Sequence, residues 1–283
     1  MLIVYSPKCL EYFPLATLEM PGRVKNCAEL LKTRGVEFIE PQQASLEDIL
    51  AVHTLRLVNE VKKEADDDVT LPGEMSMFDY AALSAGSAIT AARLALEKNI
   101  KTLSLMRPPG HHAGRDFNGG FCYFNNMAIA VKKYLSQVGK IAILDLDCHH
   151  GNGTQDIFLG QQNVLYVSLH QNLLFPGTGA SSQLNCLNFP LKTNTGEAVY
   201  LPTLDLAIRK IYDWQPKLLG VSFGFDTYKE EFLADLKLET ASYKKIGERI
   251  AALHLPTFCI LEGGYNTFAM PECLLNFLEG MGS

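Results

Sequence analysis

The sequence holds no CxxC pair, no apolar run long enough to cross a bilayer, no cluster of Lys and Arg, and no internal repeat or low-complexity tract. Each absence excludes something. Seven cysteines, at positions 9, 27, 122, 148, 186, 259 and 273, are an odd and scattered set, which argues for free thiols in a reducing, cytoplasmic setting over a disulfide framework. The longer apolar runs, such as 141–144 and 164–169, are strand-length, far below the roughly 20 residues of a spanning helix, so no membrane partner is expected. A net charge of -6 without a basic cluster offers no surface to neutralise phosphates, so no direct nucleic-acid partner is expected. The opening MLIVYSPKCLEYF has no basic n-region or small-residue cleavage pattern and reads as a first strand, not a secretion signal. No Gly-x-Gly-x-x-Gly follows a strand, which weighs against NAD-dependent chemistry.

What is present is ordinary globular material. Hydrophobic residues make up 47% and charged residues 20% of the 283 positions, enough for a sizeable core. Short β-branched runs alternate with longer amphipathic ones. Strands are predicted at 2–5, 36–40, 102–106, 141–147, 164–170, 218–225 and 258–264, with helices at 23–34, 78–98 and 203–213 and others filling the intervals. The fold class expected is α/β: a single domain over 1–283, with an open, mostly parallel sheet and helices on both faces. In such sheets ligands gather outside the carboxyl ends of the strands. The segments following the strands there read RPPGHHAG, DLDCHHGNG, FGFD and EGGY, so metal-capable side chains collect on one rim.

In the run Asp145-Leu-Asp147-Cys-His149-His150-Gly-Asn152-Gly153, strand alternation would align Asp145, Asp147 and His149 on one face. With Asp226 they supply the Asp and His donors of an open catalytic metal site. Zn²⁺ is preferred, with Fe²⁺ or Mn²⁺ compatible with the same oxygen-rich set. Buried polar caps of a sheet are the bland alternative, but unpaired buried carboxylates are costly. His111 and His112 follow a rigid Pro-Pro-Gly turn and suit proton transfer near neutral pH. Tyr265, after Gly263-Gly264, could donate to a developing oxyanion, or be a core tyrosine.

Taken together, RPPGHHAG (107–114), GGFCYFNNMAIA (119–130), LDLDCHHGNGTQDIF (144–158), FPGTGA (175–180), FGFDTY (223–228) and LEGGYN (261–266) resemble, in order, the zinc deacetylases of the arginase/deacetylase superfamily. Pro-Pro-Gly, Asn152 and Glu262 look like class II histone deacetylases and acetylpolyamine amidohydrolases, in a minimal, bacterial-type member. The resemblance implies Asp147, His149 and Asp226 as zinc ligands, His112 as general base and acid, and His111 as its electrostatic partner. It further implies Tyr265 on the carbonyl oxygen, with Asp145 orienting His111 and Asn152 meeting His112. Gly120, Phe121, Phe175, Leu233 and Gly264 would line an acyl-lysine tunnel, Asp68 would grip substrate backbone, and Arg23 would lie near an acetate exit. A structural K⁺ would be held by Asp145, Asp147, His149, Ser168 and Leu169.

The expected reaction is metal-dependent hydrolysis of acetyl-lysine in proteins or peptides, releasing acetate. Acetylpolyamine is the rival substrate, because Glu230 and Glu231 lie close to the position that Leu233 takes in the mouth loop. An arginase-like two-metal site fits less well, with Asn152 where a further carboxylate would be wanted. A catalytically silent acyl-lysine reader would require that these filled catalytic positions do nothing.

Overall fold

The structure is a computed structural model that describes residues 1–14, 17–63, 69–71 and 73–282. Among the described residues ten strands form: β1 (Leu2–Val4), β2 (Phe13–Pro14), β3 (Phe38–Ile39), β4 (Val69–Thr70), β5 (Lys101–Ser104), β6 (Ile141–Asp145), β7 (Val164–Gln171), β8 (Cys186–Leu191), β9 (Leu218–Phe223) and β10 (Thr257–Leu261). Eight of them make one sheet in the order β3-β1-β5-β10-β9-β6-β7-β8, every pairing parallel. The antiparallel pair β2–β4 stands apart. The helices are α1 (Gly22–Thr33), α2 (Leu46–Leu50), α3 (Leu55–Lys63), α4 (Met77–Lys98), α5 (Asn126–Val138), α6 (Asn152–Phe158), α7 (Glu197–Trp214), α8 (Ser242–Ala251) and α9 (Met270–Gly280).

Strand alternation sorts the core into two halves. Ala142, Leu144, Val167, Val221 and Leu261 point into one cluster, which also takes residues of α1, α7, α8 and α9. Ile141, Ile143, Tyr166, Leu218 and Ile260 point into the other, against α3, α4 and α5. Helix α4 starts on a reciprocal Ser76–Asp79 capping box and ends at a left-handed Asn99, so its length is set by its termini. Its alanine face, including Ala81, Ala85, Ala88 and Ala92, is buried.

Six of the seven predicted strands end early, and two of them bear on the site. β6 stops at Asp145 instead of running to 147, and β9 stops at Phe223, three residues short of Asp226. After Leu146 the backbone N–H groups beyond β6 turn to side-chain carboxylates: Asp147 N–H donates to Asp145 Oδ1 (3.2 Å) and His149 N–H to Asp147 Oδ1 (2.9 Å). Asp147, His149 and Asp226 are therefore loop residues, gathered by a bend and not by strand alternation. Helix α7 begins six residues before its predicted start and runs through Pro202, whose face is exposed to water.

Candidate active site

Five adjacent strands, β5, β10, β9, β6 and β7, send their carboxyl-end segments to one place. Atoms of Asp147, His149 and Asp226 that could bind a metal lie within 4.8 Å of one another, all three residues buried. His149 Nδ1 stands 2.8 Å from Asp226 Oδ2 and 3.2 Å from Asp147 Oδ1. The outer oxygens are held by backbone: Gly263 N–H donates to Asp147 Oδ2 (2.7 Å) and Cys148 N–H to Asp226 Oδ1 (2.8 Å). Only glycine fits beside this pair. A Cβ on Gly263 would come within 2.6 Å of Asp147 Oδ2 and 2.7 Å of Asp226 Oδ2, and one on Gly224 within 2.6 Å of Asp226 Oδ1.

Burial, and then the charge of Asp147, push the Asp226 carboxyl up to about 7. Among the described residues no Lys or Arg forms an ion pair with either carboxylate; their close partners are His149 and, for Asp147, His111. Two like charges so placed need a cation, and two carboxylates with one imidazole form a donor set for Zn²⁺ with positions left open.

The adjacent histidines lie beside the triad with ring centroids 4.1 Å apart. His111 Nδ1 donates to Asp145 Oδ2 at 3.2 Å, and its Nε2 is 3.7 Å from Asp147 Oδ1. Burial opposes its protonation, but the charges of Asp147 and Asp145 outweigh that and raise it to about 10. His112 goes the other way. Burial and the neighbouring charge of His111 hold it well below the usual imidazole range, and its Nδ1 donates to Asn152 Oδ1 at 2.8 Å. That bond leaves Nε2 as the basic nitrogen. Asp145 Oδ2 also accepts the Tyr166 hydroxyl at 2.9 Å, a contact that no sequence motif signalled.

A pocket of about 280 Å³ opens over these groups, lined by His112, Gly120, Phe121, His149, Leu174, Phe175, Leu233 and Tyr265. Phe121 sits at a positive φ of 66°, a conformation uncommon for a bulky residue, and its ring lies 5.8 Å from that of Tyr265. Burial holds the Tyr265 phenol well above its ordinary value, hence protonated. Gly264 belongs to the turn before Tyr265 and gives its carbonyl to Arg23 Nε at 2.5 Å. Arg23 is fully buried, not at the surface, with its guanidinium 4.8 Å from the Tyr265 ring centroid.

The acids of the mouth loop are not in the pocket lining. Glu231 turns inward, its Oε2 accepting the N–H of Tyr265 (2.9 Å) and of Asn266 (3.3 Å), while Glu230 is exposed. Ser168 and Leu169 are buried on β7, with Ser168 in register with Asp145; the Ser168 hydroxyl is also 2.8 Å from His170 Nδ1. Asp68 lies outside the described residues. The sequence reading missed Glu19 and Arg107, which with Arg23 form a buried ionic cluster, and His53, whose Nε2 accepts the Asn125 N–H at 2.9 Å beneath the histidine loop.

Comparison with known proteins gives a consistent picture. Residues 17–281 match the family model described as histone deacetylase domain. The chain is 36% identical over 274 residues to a probable deacetylase of Archaeoglobus fulgidus, covering 89% of this chain and 76% of that one. It is 32% identical to acetylpolyamine amidohydrolase 1 of Pseudomonas aeruginosa, covering 93% of this chain and 90% of the relative. Among solved structures, the acetylpolyamine aminohydrolase from Burkholderia pseudomallei superposes with a TM-score of 0.89 at 28% identity, over 100% of this chain and 99% of that one.

Proposed function

The chain belongs to the histone deacetylase domain family and is a hydrolase of acetylated amines, and from that premise we propose that it removes acetyl groups from lysine side chains of peptides or proteins with a Zn²⁺ held by Asp147, His149 and Asp226. The observation that carries the mechanism is the meeting of that buried triad with His112 and Tyr265 in one pocket. When bound, Zn²⁺ supplies Lewis acidity, polarising the amide carbonyl and lowering the pKa of water. The remaining work falls to the chain's own groups.

His112, neutral and with Nε2 free, takes the proton of the attacking water and then gives it to the departing amine nitrogen. Asn152 holds the tautomer that makes this possible, and the charge of His111, sustained by Asp145, keeps His112 from being protonated beforehand. The Tyr265 hydroxyl donates to the carbonyl oxygen as charge gathers there. Gly120, Phe121, Phe175 and Leu233 exclude water around the lysine stem, and Gly264 sets the turn that brings Tyr265 inward. Asp68 is proposed at the rim as a backbone acceptor. A structural K⁺ on Asp145, Asp147, His149, Ser168 and Leu169 fits the buried, in-register pairing of β6 with β7. Seven unpaired cysteines favour a reducing, cytoplasmic setting.

Replacing Tyr265 with Phe is expected to lower kcat about 10²-fold, as loss of one oxyanion donor does; turnover near that of the parent chain would remove Tyr265 from the mechanism.

A second reading, acetylpolyamine as substrate, is favoured by the names of the relatives at 32% identity over 93% of the chain. Against it stands the pocket lining, where Leu233 is present and the Glu231 carboxylate is engaged elsewhere, so neither offers a counter-charge to a distal ammonium. Turnover of an acetyl-lysine peptide beside N⁸-acetylspermidine separates the two: a higher kcat/KM for the polyamine overturns the lysine assignment.

A further inference from the structure

Glu262 is fully buried, lies directly after the last residue of β10, and has no part in the mechanism above. The segment leaving β5 passes Leu105 and Met106 and then reads Arg107-Pro108-Pro109-Gly110-His111-His112. Prolines have no N–H, so the first backbone donors after them are those of Gly110 and His111. Both go to one atom. Glu262 Oε2 accepts Gly110 N–H at 2.7 Å and His111 N–H at 3.1 Å, while Oε1 accepts the Ser222 hydroxyl of β9 at 2.9 Å. The next residue, Gly263, donates its N–H to Asp147 Oδ2 at 2.7 Å and accepts from Phe225 N–H at 3.1 Å through its carbonyl.

We propose that Glu262 is a positioning residue for catalysis: its carboxylate clamps the histidine turn to the same two-residue segment that holds the Asp147 carboxylate, and so sets the distance between the proton-transfer pair and the metal site. Asp145 and Asn152 aim the imidazole rings from their far sides. They do not hold the main chain from which those rings project. Ser84 and Asn126 hold its Pro108 carbonyl and Thr154 N–H its His111 carbonyl, but its Gly110 and His111 N–H groups rest on Glu262. Without that carboxylate two buried N–H groups lose their acceptor and the turn shifts to find others. Displacements of about 1 Å between reacting groups are enough to cost on the order of 10²-fold in rate. Apart from His112 and Tyr265, the pocket lining, with Gly120, Phe121, Phe175 and Leu233, is carried by other segments, so substrate affinity is largely spared.

The inference rests on the assignment of His112 to proton transfer, and the experiment separates the two. Metal-loaded parent chain, Glu262→Ala, Glu262→Gln and His112→Ala are compared for kcat and KM on the acetyl-lysine peptide and on N⁸-acetylspermidine, with metal content and hydrogen exchange over residues 107–113. Glu262→Ala is expected to lose about 10²-fold in kcat with KM within about threefold, to retain its metal, and to exchange faster at 107–113. Glu262→Gln keeps a carbonyl oxygen for both N–H groups and an amide for Ser222, so its kcat should stay within about tenfold of the parent. An active Glu262→Ala beside an inactive His112→Ala overturns the positioning role alone. An active His112→Ala overturns the mechanism beneath it. Should Glu262→Ala fail to fold, the Gln variant decides: parent-like exchange with most of kcat retained supports the clamp, and a loss as deep as that of His112→Ala refutes it.

Discussion

Two buried ionic clusters lie on either side of the turn that carries Tyr265, and they are built in opposite ways. In the first, the Glu19 carboxylate sits between Arg107, at 2.7 Å from both Nε and Nη2, and Arg23 at 2.9 Å, with the Tyr12 hydroxyl donating at 3.1 Å. The other guanidinium N–H groups go to the carbonyls of Cys9, Glu19, Glu262 and Gly264. This cluster is closed by hydrogen bonds: one carboxylate and four carbonyls of the protein take the N–H groups of both guanidiniums. In the second, Asp147, His149 and Asp226 set two carboxylates around one imidazole nitrogen, and their balance requires something the chain does not encode. Burial in both cases is nearly complete. What differs is whether the protein finishes the coordination, and that difference separates a part of the fold from a part of the chemistry.

The sharpest way to break the contrast is at the open cluster. Asp226→Ala, or chelation of the metal, is expected to reduce turnover by about 10⁴-fold or more, since Lewis acidity and the activated water are lost together; metal content measured beside kcat checks it, and a metal-free chain that still turns over acetyl-lysine would sink the metal assignment. At the closed cluster the same kind of change should strike the fold. Glu19→Ala leaves two guanidiniums buried without their carboxylate and is expected to cost about 3–5 kcal/mol of stability, read from the urea midpoint, whereas an unchanged midpoint would show that the cluster contributes little.

His53 gives the smallest and most specific comparison, a buried polar group satisfied without charge. Its Nδ1 donates to Gly114 O at 2.8 Å and its Nε2 accepts from Asn125 N–H, and burial lowers its pKa to about 4. The unfolded chain takes up a proton near pH 6.5, whereas the folded chain does so only near 4. Its contribution is therefore complete above pH 6.5 and lost as pH falls toward 4, by about 2–3 kcal/mol. Unfolding titrations at pH 7, 5.5 and 4.5 should show a shallower loss for His53→Gln than for the parent; parallel slopes would remove His53 as the source.

The parts legible in the sequence share a physical cause. Strands buried on both faces, such as 141–145 and 218–223, read as apolar runs because both cores need them, and the metal-capable residues were conspicuous as polar interruptions just beyond. β8 was not predicted because Asn188 and Pro190 break its pattern; it lies at the sheet edge, where a missing N–H costs little. The ends of β6 and β10 were misplaced because carboxylates took over the hydrogen bonding of the backbone there, which no periodicity records. Glu19 and Arg107, 88 positions apart, carry no local pattern at all, and Glu231 looked like an acid of the mouth until its hydrogen bonds turned it inward.

That last contact makes the loop bearing Leu233 and the backbone of Tyr265 a single mechanical unit, joined through the Glu231 carboxylate. Anyone seeking to re-engineer this enzyme for bulkier or charged amines by rewriting the entrance would be retuning its rate at the same time, so that libraries built there should hold residue 231 constant or screen for selectivity and speed together.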